Sequence, residues 1–256
     1  MGRVEKVGYL SKSKVNLFLQ CPLAFKFHYV DNLPRTGRNP FFEIGTDVHE
    51  FIKQFHETVL VEDNGELSGL NRLRFAPNTE YKKNIVRFEI LRWRRLHHNG
   101  FGADYFKPLF LEHLFDVGEP ILLHGYVDRI HRVCRNDDFA PLGFPGFKDG
   151  DLVIVENKSG ARKSSDYEND LLWYKLLFEL SYPGKEIKWG AVYYPIDNAV
   201  SHFSLTSEKS AELYKSILLA KSEIEQRLAS GRWDAKPSAE NCCWCEYARY
   251  CKEKVC

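Results

Sequence analysis

Cys21 stands near one end of a 256-residue chain, and Cys242, Cys245 and Cys251 crowd near the other. Thiolates are soft ligands that hold zinc or iron–sulfur clusters, and a Cys-x2-Cys-x5-Cys run with a distant fourth thiol surrounds one metal centre only if the two termini meet. The fold must therefore bring its ends together. Spacing alone leaves tetrahedral zinc and a cubane cluster both open. Of the seven cysteines, Cys134, Cys243 and Cys256 have no place in the pattern. Cys134 reads as a small core hydrophobe, Cys243 as a substitute for Cys242, and Cys256 as a frayed end. An odd count with four thiols between 242 and 251 favours metal ligation over disulfides.

The formal net charge is +1, so any phosphate-binding surface must be a local patch rather than a global field. The N-terminal stretch lacks the apolar core of a signal peptide, and no run approaches the ~18 apolar residues of a membrane span. A cytoplasmic protein with no membrane partner is expected. The length suits a single domain over 1–256, with a mainly helical part at 1–100, a sheet-bearing core at 105–206, and a C-terminal helix and cysteine region at 207–256.

Hydrophobic period places the elements. Ser11 or Ser13 caps a helix with Val15, Phe18 and Leu19 apolar, broken at Cys21-Pro22. Ile44, Val48, Phe51, Ile52, Phe55 and Val59 recur at helical spacing, as do Tyr81, Ile85, Phe88 and Leu96, with a loop expected from Asp63 to Thr79. Strands follow over 109–117, 121–133 and 151–158, then a helix over 166–180, strands at 187–194 and 201–205, and a helix over 207–229. Helices around a small mixed sheet make an α/β fold.

The strand from Asp151 to Lys158 is apolar on both faces until Glu156 and Lys158, which share one face by two-residue alternation. A carboxylate and an ammonium at the end of a buried strand are costly unless paired or working. Glu156 suits a divalent cation; Lys158 suits charge developing on a phosphate, or deprotonation of an attacking water. A structural ion pair is the plain alternative. Asp128, on the preceding strand after Gly125, adds a second carboxylate, giving the oxygen-rich site that Mg²⁺ or Mn²⁺ prefers. Its plain reading is a pair with Arg129 or Lys158. His49, one turn after Gly45 on a helix, offers a nitrogen ligand. Arg87, Arg92, Arg94, Arg95, Arg162 and Lys163 are candidates for tracking phosphates, with a solvated helix face as the alternative for the first four.

Leu10-Ser-x-Ser-x-x-x-x-Phe-Leu-x-Cys-Pro-x-x-Phe25, Gly45-Thr-x-x-His49, Gly125-x-x-Asp128, Glu156-x-Lys158 and the terminal Cys242, Cys245 and Cys251 stand in an order that resembles RecB-like nucleases of the PD-(D/E)xK superfamily. The nearest look is to the iron–sulfur branch, with the CRISPR-associated RecB-type exonuclease and the AddB nuclease domain. The resemblance implies a restriction-endonuclease-like core, and a 4Fe-4S cluster on Cys21, Cys242, Cys245 and Cys251. It also implies a metal site of His49, Asp128 and Glu156 with Lys158 as the catalytic lysine. It further implies metal-dependent exonuclease action on single-stranded DNA ends, in CRISPR adaptation or DNA repair. A DNA-binding assembly subunit with an idle site, serving an integrase or helicase, is the competing reading. The family's Gln-x-x-x-Tyr helix signature matches at Tyr174, a candidate DNA contact, while Asp170 stands where the Gln is usual.

Overall fold

The computed structural model describes residues 8–35, 41–75, 80–119, 121–160 and 167–255. In chain order, α1 (Lys12–Gln20) and α2 (Pro22–Phe25) run into a π-helical turn, Lys26–Val30, before α3 (Phe41–Thr58). A two-stranded ribbon, β1 (Leu60–Val61) and β2 (Leu67–Ser68), and a 3-10 turn at Leu70–Arg72 follow. Next come α4 (Glu80–His98), α5 (Ala103–Phe106), β3 (Phe110–Val117), β4 (Leu123–Arg132), β5 (Leu152–Asn157) and α6 (Glu168–Ser181). The chain ends in β6 (Trp189–Tyr194), β7 (Ala199–Ser204), α7 (Ser207–Ser230) and α8 (Ala239–Cys243). The segment expected to be loop, Asp63 to Thr79, thus holds β2 and the 3-10 turn, and the four-residue α5 has too little periodicity to be read from sequence.

Two compact units divide the chain: 40–115 with 126–210, and 1–39 with 116–125 and 211–256. The sheet runs in the order β3-β4-β5-β6-β7. β4 and β5 pair antiparallel, β5 and β6 parallel, and β6 and β7 antiparallel. A parallel pair needs a crossover, and α6 supplies it. Residues Leu171 to Phe178 of α6 are all buried, the pattern of a helix packed on every side. α6 lies so close to the sheet that a Cβ on Gly190 of β6 would come within 2.8 Å of Leu171 Cδ1. Gly190 is the residue that admits the helix there.

In the first unit, the apolar stripes of α3 and α4 close over one face of the sheet: Val48, Ile52, Phe55, Ile85, Phe88 and Leu96 share a core with Val153, Val155 and Tyr193. That core also contains charge. Glu89 and Arg92 of α4, and Arg129 of β4, are completely buried. Arg129 donates to Glu89 Oε1 and to Asn157 Oδ1, each at 2.7 Å, and Arg92 grips Asp137 through two 2.8 Å bonds. Arg92 is therefore no phosphate contact. Burial alone would raise the Glu89 carboxyl, but His56, Arg129 and Arg92 outweigh it and hold it well below the carboxylate range. Burial keeps His56 neutral, with its pKa lowered to about 4.

In the other unit, Ser11 caps α1 by accepting from the Lys14 amide, and Val15 and Phe18 are buried. Leu19, expected on the same apolar face, is 46% exposed. Cys21 ends α1 in extended backbone and precedes Pro22 at the first position of α2, so the thiol sits at a helix junction. The termini do meet. Lys236 Nζ donates to Leu19 O at 3.0 Å, Leu23 N to Asp234 O at 3.2 Å, and Tyr247 OH lies 2.6 Å from His28 Nδ1. Phe25 stacks on Trp233 with ring centroids 5.9 Å apart.

Candidate active site

The β4–β5 ladder sets Arg129 opposite Val155, and the same register taken one residue further brings Asp128 beside Glu156. Alternation then sorts the chemistry. Asp128, Glu156 and Lys158 share one face; Arg129 and Asn157 share the other and join the buried ion network. This is why Asp128 does not pair with Arg129. The Asn157 backbone N–H donates to Asp128 Oδ2 at 2.7 Å, which leaves Oδ1 turned toward His49 Nδ1 at 3.4 Å.

α3 delivers His49, with Gly45 one turn earlier near Ser159, whose Oγ lies 3.6 Å from where a Gly45 Cβ would stand. His49 Nδ1 is also 3.1 Å from Glu112 Oε1. Glu112, on β3, had no motif to mark it. Its backbone has φ +44, a left-handed conformation rare for a side-chain-bearing residue. Ligand atoms of His49, Glu112 and Asp128 all lie within 4.8 Å of one another.

Lys158 Nζ lies 2.5 Å from Glu156 Oε1 and 3.2 Å from Asp170 Oδ2, with the Tyr167 ring 5.0 Å below it. Burial by itself would lower the Lys158 pKa, but Glu156 and Asp170 more than reverse this and raise it above the ordinary lysine value. Beside these two carboxylates Lys158 is held as an ammonium. Asp170 faces Lys158 across the β5–α6 crossover, so the carboxylate in the signature position is spent on the lysine. Tyr174, one helical turn on, hydrogen-bonds toward Glu156, and burial followed by the nearby carboxylates pushes its hydroxyl pKa well up. It is buried, with its hydroxyl turned to Glu156. Arg162 and Lys163 lie outside the described residues.

The donor set fits a divalent cation. Two carboxylates and an imidazole converge, and Glu156 Oε2 is buried with no hydrogen-bond partner, an oxygen short of a cation or proton. Burial and the Glu156 charge raise the Asp128 pKa well above its usual value, as expected for crowded carboxylates lacking a cation. Burial would lower His49, but the Glu112 hydrogen bond and the charges of Asp128, Glu112 and Glu156 raise it to about 9.

In the metal-free protein the paired imidazolium of His49 contributes stability that is complete below about 6.5 and is lost as pH rises through about 9. A metal needs the neutral ring. Mn²⁺ binding at pH 7 is therefore expected to release at least the His49 proton, with affinity rising as pH rises until His49 has titrated. Calorimetry in two buffers of different ionisation enthalpy counts the proton; a buffer-independent heat would remove His49 from the ligand set.

A core sheet crossed by a helix, with acidic groups and a lysine at the end of its central strand, is the arrangement of a nuclease core. Residues 9–252 match the PD-(D/E)XK nuclease superfamily, and the chain belongs to it. A crystal structure of a protein provisionally described as an exonuclease, from Eubacterium rectale, is similar in fold. The TM-score is 0.54 at 13% identity, over 97% of this chain and 90% of that one. No curated protein matches the chain. Among the described residues, no helix is long and apolar enough to cross a membrane.

Proposed function

We propose that this chain is a Mn²⁺- or Mg²⁺-dependent DNA exonuclease acting on single-stranded ends. The observation that carries the reading is the convergence of His49, Glu112 and Asp128 beside the Glu156–Lys158 pair. His49, Glu112, Asp128 and Glu156 would hold the ion, and a bound divalent ion polarises a phosphate and lowers the pKa of its water. The chain's own residues do the rest. The Asn157 amide fixes one Asp128 oxygen so that the other faces the ion, and Asp170 and Glu156 hold the Lys158 ammonium where charge grows on a phosphate oxygen. Because Lys158 keeps its proton, the base that takes the water's proton must be a carboxylate or bulk solvent.

A 4Fe-4S cluster on Cys21, Cys242, Cys245 and Cys251 belongs to the same proposal. All four line one pocket of about 390 Å³, counted to its solvent-open mouth. Burial raises the Cys245 thiol pKa, and the other three cysteines raise it further, so the four thiols face one another. The resemblance of the cysteine motif to the iron–sulfur branch is what favours a multi-iron cluster over a single zinc. Cys134 is buried and outside the pocket, and Cys243 does not line it. The biological setting that follows from the resemblance is DNA-end processing in CRISPR adaptation or repair.

The experiment compares linear and covalently closed single-stranded DNA in Mn²⁺ under anaerobic conditions. Linear strands should shorten from an end while circles persist. Equal loss of circles would replace exonuclease by endonuclease action.

A further inference from the structure

The paired register of β4 and β5 runs from Arg132 and Leu152 to Arg129 and Val155, and stops one residue short of Asp128 and Glu156. On its other side β5 goes on: the Lys158 N–H donates to Tyr193 O at 2.9 Å. Successive N–H groups of a strand point to opposite sides, so the Asn157 N–H faces β4. There it meets the Asp128 carboxylate at 2.7 Å, where a longer ladder would offer a backbone carbonyl. The Asn157 side chain makes a second link on the opposite face: its Oδ1 accepts from Arg129 Nη2 at 2.7 Å. Consecutive residues of β4 thus hold Asn157 from front and back. The rear link is anchored, because Arg129 Nη1 also donates to Glu89 Oε1 of α4 at 2.7 Å, and all three side chains are buried. Asn157 Nδ2 is buried and meets no acceptor among the described residues, an unpaired donor that costs stability. What the position uses is the oxygen.

Resting on the nuclease reading above, we propose that Asn157 and Arg129 are positioning residues of the metal site: their buried bond stands in for a ladder rung and sets the separation of Asp128 and Glu156. Two strand ends without a rung between them can splay. Asp128 and Glu156 crowd each other's charge, which pushes those ends apart until a cation arrives. The rear bond opposes the splaying without adding charge to the metal face, since alternation keeps Arg129 and Asn157 on the side of α4. Ligands held at a fixed separation favour an ion that demands regular geometry. Mg²⁺ requires a near-ideal octahedron, whereas Ca²⁺ accepts irregular shells. The brace therefore matters more for the smaller ion.

The test is Mn²⁺ binding, read from the electron paramagnetic resonance signal of the free ion, with Mg²⁺ and Ca²⁺ as competitors and cleavage of single-stranded DNA measured beside it. Arg129 is a poor probe, because its loss strands the Glu89 charge in the core. Asn157→Ala should weaken Mn²⁺ and Mg²⁺ by about ten- to a hundredfold, as loss of a ligand-orienting contact does, and Ca²⁺ by clearly less. Asn157→Asp keeps an acceptor for Arg129 and gives up only the unpaired amine, so it should bind metal like the parent. Leu96→Ala opens a cavity in the same core, about two turns along α4 from Glu89, and should lower the melting temperature with metal affinity unchanged. Parental Mn²⁺ affinity in Asn157→Ala, no rescue by aspartate, an equal loss for Mg²⁺ and Ca²⁺, or the same loss in Leu96→Ala would overturn the proposal. A parent that cleaves while Asn157→Ala holds Mn²⁺ as tightly sinks the brace alone. The expected binding pattern in a parent that never cleaves DNA sinks the nuclease reading alone, and a parent that binds no Mn²⁺ sinks both.

Discussion

Replacing Lys158 by methionine is expected to lower DNA cleavage by about 10²- to 10³-fold, the scale of losing one preorganised charge at a developing anion. The side chain is held by two carboxylates, Glu156 at 2.5 Å and Asp170 at 3.2 Å, so its position is set before substrate arrives. Its raised pKa keeps it charged through neutral pH. The loss should therefore be the same at pH 7 and pH 9, whereas a lysine acting as base would make the parent's advantage grow with pH. Folding should survive at a lower melting temperature: the Lys158 side chain is 24% exposed, but that of Glu156 is only 4% exposed and is left buried with its charge uncompensated. Single-turnover cleavage at several pH values, with a thermal melt of each protein, checks both halves. A methionine variant with parental rates would place the chemistry elsewhere.

The second large effect concerns Cys21. Anaerobically purified protein should be brown and carry about four irons per chain, and Cys21→Ser should bleach it and cut its iron. The same change should loosen α1 and α2, because Cys21 links the first helices to the segment at 242–251 through the proposed cluster. Some of that junction persists without the thiolate: the Lys236 to Leu19 and Asn241 to Gln20 hydrogen bonds and the Phe25–Trp233 stack remain. Proteolysis in the N-terminal helices should accelerate without global unfolding. Iron and visible absorbance measure the cluster, and limited proteolysis measures the loosening. One zinc per chain without visible absorbance would reject the iron–sulfur centre and retain the metal tie between the ends.

Much of the site was legible because it lies where periodicity changes character. β5 reads as a buried strand until Glu156 and Lys158 interrupt its apolar face, and the structure sets them beside Asp128 at 2.5 Å from each other and within the field of His49. Glu112 was not legible. Its part depends on a left-handed backbone in β3 and on which strand lies next to it, and neither leaves a local pattern. Arg92 was misread although the signal was there. It lies on the stripe that Ile85, Phe88 and Leu96 define, so helical spacing already points it inward, where Asp137 and Glu89 meet it. Asp170 looked like a flaw in a DNA-positioning signature because the crossover that returns α6 to the end of β5 is a long-range fact. Once α6 is in place, Asp170 and Tyr174 fall on one helical face, toward Lys158 and Glu156 respectively.

The most direct measurement is release of nucleotides from an end-labelled single strand by the parent and by Glu156→Gln, each in Mn²⁺ and in EDTA. Glu156 carries the orphaned oxygen that the site leaves for a cation, and the amide keeps its shape while removing the charge. The account predicts release only by the parent and only with Mn²⁺. Release by the parent in EDTA, or by Glu156→Gln at the parental rate, would contradict it.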